Sequence, residues 1–186
     1  MCCRLAVLLA TAIAILLPLE FVAQPTVPDV PKEIAVPPGY KLLFKFEAKG
    51  VQIYRAEECR DDKPEWVFDA PLVDLFDSKG GKAGCHYEGP SWEAVDGSKV
   101  VRDKAEDVKS APAPNAKENI SWLLIRVKAE KGKDGTFSPA VYIQRLQTEG
   151  GKAPAEPPQA RRDESRGGVQ GRVLFLRQSE VSRPPN

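Results

Sequence analysis

From residue 40 onward the chain alternates between apolar and polar positions. Leu42, Phe44, Phe46 and Ala48 share one parity and Lys41, Lys45 and Glu47 the other, with Leu43 the one exception. A period of two marks a half-buried strand. Lys49-Gly50 predicts a turn, and 51–55 the next strand, with Val51 and Ile53 on one face. Two short strands follow at 65–68 and 72–76, separated at Pro71, and another at 82–88. Asp77-Ser-Lys-Gly-Gly81 and Gly89-Pro90 carry strong turn signals. Segments 92–95 and 98–101 flank Asp96-Gly97, a pair suited to a type I′ hairpin. Residues 102–118 are charged and rich in Ala and Pro, which predicts a loop. The apolar stretch 120–128 predicts a central strand. Segment 140–147 alternates again, with Val141, Ile143 and Arg145 on one side and Tyr142, Gln144 and Leu146 on the other. Residues 169–177 predict a last strand. Short strands with closely spaced turns predict an all-β, single-domain antiparallel β-sandwich or barrel over 40–177.

The two ends read differently. Arg4 precedes an apolar run at 5–17, interrupted only by Thr11, and Ala23 offers a small-residue exit. A basic start followed by an apolar run of about 7–15 residues describes a secretory signal, here a signal helix over residues 1–24. The run falls short of the roughly 20 residues a membrane span needs. The expected location is therefore secreted or periplasmic, with no stable membrane span after cleavage; an uncleaved N-terminal membrane anchor is the alternative. Five prolines in residues 25–39 predict an extended linker. Residues 178–186 read as a disordered tail. After export only Cys59 and Cys85 remain, either as one disulfide or as two unpaired thiols.

Composition narrows the function classes. The chain has 186 residues, 27 Lys+Arg against 26 Asp+Glu, and a formal net charge of +1. That balance argues against nucleic acid as a partner. A single His excludes a multi-His metal site, and no metal or other cofactor is expected. No Gly-x-Ser-x-Gly motif is present. The one concentration of chemistry lies at 86–96: His86, Tyr87, Glu88, Trp92, Glu93 and Asp96. An imidazole titrates near neutrality, carboxylates act as acids or bases when buried, and Trp92 or Trp66 offers a face to a sugar. On a strand, His86 and Glu88 would share one side and Tyr87 the other. His86, Tyr87, Glu88, Trp92 and Asp96 are thus the candidate ligand-binding residues. The structural alternative makes Gly89-Pro90 a bend, His86 the donor to a carbonyl, Trp92 a core residue and Asp96-Gly97 a turn. Gln52 with Tyr54, and Gln144 with Tyr142, either line a groove or face solvent.

Three groups of residues carry a resemblance. They are 50–55 (GVQIYR), 86–98 (HYEGPSWEAVDGS), and 121–124 (SWLL) together with 143–145 (IQR) and 148–154 (TEGGKAP). In this combination the chain resembles the DUF3455 family, exported bacterial and fungal proteins of unknown function, over about 28–155. The resemblance implies a compact, largely β, exported domain and no established activity. It weakens towards the C-terminus. The family closes with an aromatic-rich strand, whereas 169–177 lacks Tyr. After Lys152 there is no further Lys, while six of the 12 Arg follow it. A reading-frame shift near Pro157 would produce such an ending and expose a sheet edge. The expected function is a secreted or periplasmic, non-catalytic module that binds a small molecule or glycan or serves the cell envelope. The rival is a small hydrolase or carbohydrate-active enzyme using His86, Glu88 and Asp96. A coat or matrix component is a third reading.

Overall fold

Residues 29–58, 63–160 and 163–179 are described by the computed structural model. The signal helix, Cys59 with its candidate disulfide to Cys85, and the last residues of the tail lie outside the described residues. Nine strands follow in order: β1 (Tyr40–Glu58), β2 (Pro64–Phe76), β3 (Lys82–Tyr87), β4 (Ser91–Ala94), β5 (Lys99–Arg102), β6 (Lys109–Ala111), β7 (Trp122–Ala129), β8 (Tyr142–Gly150) and β9 (Glu164–Gln178). The sheet runs β5-β4-β3-β2-β1-β9-β8-β7-β6, and β5 also pairs with β7, so the sheet closes on itself. β5 and β6 share one edge of β7: Val101 pairs with Lys128, and Ser110 with Leu123. Every pairing is antiparallel. Of the two expected architectures, the closed ring is the one formed. No helix among the described residues is long and apolar enough to cross a membrane.

Closure demands strong coiling, and three local departures from the expected strands supply it. The alternation breaks at Leu43 because β1 bulges there: Leu42 pairs with Leu176 and Phe44 with Phe175, with Leu43 extra. Leu43 and Phe44 both pack inside, while Leu42 packs outside. Lys49-Gly50 makes no turn; β1 continues through it. A Cβ on Gly50 would sit 2.1 Å from the Leu72 carbonyl oxygen, so the glycine permits close strand approach. Pro71 does not end a strand either. It pairs with Gln52 inside β2, next to a register shift between Ile53 and Tyr54. The predicted loop 102–118 contains the short β6.

The interior is filled at one end by Phe46, Leu75, Trp92, Ile143, Phe175 and Phe137. Phe137 comes from the β7–β8 connection and is fully buried, its ring centroid 4.5 Å from that of Phe175. A second cluster lies outside the ring, where Leu124, Tyr142, Leu146, Leu174 and Leu176 meet Ile34. Ile34 belongs to a 3₁₀ turn, Lys32–Ile34, within the proline-rich stretch; it is fully buried, and its carbonyl accepts from Gln144 Nε2 at 2.8 Å. Because β9 is covered on both faces, its run Val173-Leu-Phe-Leu176 is continuously apolar. β9 pairs with β1 on one side and β8 on the other, so the atypical C-terminal segment fills the sheet and leaves no open edge there.

Candidate functional site

The candidate residues separate by strand parity. His86 on β3 faces inward, because it pairs with Val73 on one side and Trp92 on the other, and both are buried. Its ring stacks on Trp92 at 4.3 Å with 3° between planes. Nδ1 lies 2.9 Å from the Ser91 carbonyl oxygen, an acceptor, so Nδ1 carries the proton and Nε2 the lone pair. Burial pushes the imidazole down to about 4; the Arg145 charge adds to this and the Ser91 hydrogen bond opposes it. His86 is therefore neutral at pH 7.

The other candidates point elsewhere. Tyr87 faces out, donating to Glu93 Oε2 at 2.5 Å, with Lys99 Nζ 5.4 Å from its ring centre. Glu88 lies in the exposed turn between β3 and β4. Asp96 sits in the turn at the far end of β4. Its carboxylate accepts four hydrogen bonds, from the backbone and hydroxyl of both Ser98 and Thr136, at 2.6–2.9 Å. Those donors, the Ser98 hydroxyl foremost, hold it well below the usual carboxylate range. Its effect is to fasten the loop that delivers Phe137 to the core. His86 and Trp92 are thus brought together, and Glu88 and Asp96 are held at opposite ends of β4.

Three inward residues on other strands complete a polar end of the interior: Gln52 on β1, and Arg145 and Thr148 on β8. With His86, and with Ala48 and Gly171 as small walls, they surround a space of about 30 Å³. Gln52 is 4% exposed, and its amide has no hydrogen-bond partner among the described residues. Arg145 donates through Nε and Nη2 to the Ser121 carbonyl at 3.2 and 2.7 Å. No carboxylate reaches it among the described residues. Burial holds the guanidinium down to about 10, so it remains a cation at neutral pH. Thr148 Oγ1 donates to the Ile120 carbonyl, and Tyr54, above the cavity, donates to the Gly151 carbonyl at 2.6 Å. The sequence signal for this group was a charged side chain, Arg145, on the same face as Val141 and Ile143.

Outside the ring, over the same stretch of wall, lies a cleft of about 840 Å³. Ala48, Thr148, Gln170, Gly171 and Arg172 line both spaces. The cleft adds Trp122, Glu47, Lys49, Asp77, Gln147 and Glu149. Two of its charges pair, Arg172 Nε bonding Glu47 Oε1 at 3.0 Å, and the Glu149 carboxylate accepts from Gln170 Nε2 at 2.5 Å. No group of three metal-ligating side chains exists among the described residues.

The family model for a protein of unknown function, DUF3455, matches residues 37–167, most of this ring. The chain belongs to the DUF3455 family. Nothing matches among the curated proteins or among the solved structures. The stretches by which the DUF3455 resemblance was drawn meet in space. Gln52 and Tyr54 come from the first, His86 and Trp92 from the second, Arg145 and Thr148 from the third. Residues nearly a hundred positions apart thereby build the polar end of the DUF3455 interior.

Proposed function

We propose that this DUF3455 chain is an exported, non-catalytic binding domain of the cell envelope or its surroundings, and that the outer cleft takes an uncharged polar ligand of the carbohydrate class. The apolar leader supports export. The cleft carries the reading: about 840 Å³ of concave surface, walled by Trp122 and by rows of amides and carboxylates that carry hydrogen-bond donors and acceptors along its length. That volume lies within the roughly 300–1,000 Å³ of small-molecule sites. Planar polar side chains beside an aromatic one suit hydroxyl-rich ligands, with orientation set by hydrogen bonds rather than by net charge. The separation of Glu88 and Asp96 from His86 supports a binding role over hydrolysis at those three residues.

Titration of the mature protein against a panel of oligosaccharides tests this. Glu149 and Gln147 are exposed, so their replacement spares the core. Glu149→Ala and Gln147→Ala should weaken binding at least about tenfold while the melting temperature holds, a loss of about 1.4 kcal/mol. Binding that survives both substitutions unchanged, or release of a cleaved sugar, would reject the proposal. Export is checked separately: the N-terminus of the processed protein should begin near residue 25.

A further inference from the structure

The interior of the ring poses a separate problem in electrostatics. Arg145 enters on the same face of β8 as Ile143 and sits opposite Val173, among groups that offer its charge no counterion. An ion taken out of water without a partner costs several kcal/mol. The Ser121 carbonyl accepts from Nε and Nη2, which leaves the other guanidinium donors without an acceptor among the described residues. Gln52, 4% exposed, brings two further N–H donors to the same space, where the acceptors are its own Oε1, the Thr148 hydroxyl and the neutral His86 Nε2. The arrangement thus sets N–H donors, and a positive charge that meets no carboxylate among the described residues, around a cavity.

We propose that this cavity is an anion site, in which the Arg145 guanidinium and the Gln52 amide bind a single halide ion, chloride being the natural occupant. Size selects the ligand. A space of about 30 Å³ accommodates one or two water-sized groups and excludes sulfate, phosphate or a sugar acid. Charge selects against water, which would leave the half-buried cation uncompensated. The apolar neighbours Val73, Leu75 and Val173 keep the dielectric low, so the ion–guanidinium attraction is weakly screened. This site is independent of the outer cleft and would bind its ion whether or not the cleft takes a carbohydrate.

The experiment follows thermal unfolding of the full mature chain as sodium chloride replaces sodium gluconate at constant ionic strength. Gluconate is too large for the cavity and serves as the reference. The melting temperature should climb with the logarithm of chloride concentration. At a hundredfold excess over the dissociation constant, the folding equilibrium constant should be about 100 times larger. Arg145→Met should abolish the dependence and Gln52→Leu should weaken it. Crystals soaked in sodium bromide should show an anomalous peak within hydrogen-bond reach of both side chains. A flat response in the native chain overturns the proposal. So does a slope that survives Arg145→Met, or bromide confined to the outer surface. If Arg145→Met does not fold, the native titration, the Gln52→Leu variant and the bromide peak still decide.

Discussion

His86 shows how placement of one side chain sets a property of the whole protein. Folded, the imidazole titrates at about 4, against 6.5 for the free group, chiefly because burial opposes its charge. As pH falls below about 6.5 the unfolded chain takes up a proton that the native state refuses until about 4. Native stability therefore declines across that window by roughly 3 kcal/mol, and this group adds nothing below it. Urea unfolding at pH 7, 5.5 and 4.5 should show the loss, and His86→Asn should remove that part of it. An identical pH profile in the variant would mean that His86 is not buried as described. How much of this was legible in sequence differs by residue. A carbonyl partner for His86, though not which one, and a turn role for Asp96 followed from turn chemistry alone. The grouping of His86 with Gln52, Arg145 and Thr148 did not, since it depends on which strands become neighbours across long separations. Arg145 carried one local sign, its parity with Ile143; Gln52 carried none, because an amide beside apolar residues reads equally well as solvent-facing.

At the level of strands, turn signals and apolar runs located β4, β5, β7 and β9, and alternation located β1 and β8, which turn one face to the ring's interior. It failed where curvature required an exception. Gly50 and Pro71 resemble punctuation in a linear reading, yet both lie within strands, where tight coiling removes room for a side chain or dispenses with a donor. β6 was missed because three residues bury too little to leave a pattern. The Gly50 geometry gives a sharp expectation. A methyl group there would overlap the Leu72 carbonyl oxygen, and the two backbones would have to separate. Gly50→Ala should lower the unfolding free energy by about 2–3 kcal/mol, the upper range for overpacking, as a lower urea midpoint. Gly80→Ala is the control. A Cβ at Gly80 meets nothing within 4 Å, and the only cost there is its positive φ of 82°.

Across the molecule, the decisive contact joins the beginning of the domain to its end. β9 pairs with β1 from Tyr40↔Gln178 to Arg55↔Glu164 and holds β8 on its other side. Val173, Leu174, Phe175 and Leu176 supply both the inner and the outer cluster. Removing residues 164–186 should therefore prevent folding altogether rather than leave a weakened domain. Loss of near-ultraviolet dichroism and rapid proteolysis would be the signs; a truncated chain that stayed protease-resistant would refute the pairing. The all-β class, the antiparallel pairing and the region of the last strand were legible from pattern and turns; the choice of a closed ring over a sandwich was not. The joining of first to last was not, because no local signal names a partner more than a hundred residues away.

That joining has a consequence for biosynthesis. While the ribosome is still adding residues, the emerging polypeptide lacks the stave that completes its wall. Until β9 has left the exit tunnel the nascent chain stays open, because the strand that joins β1 to β8 is not yet there.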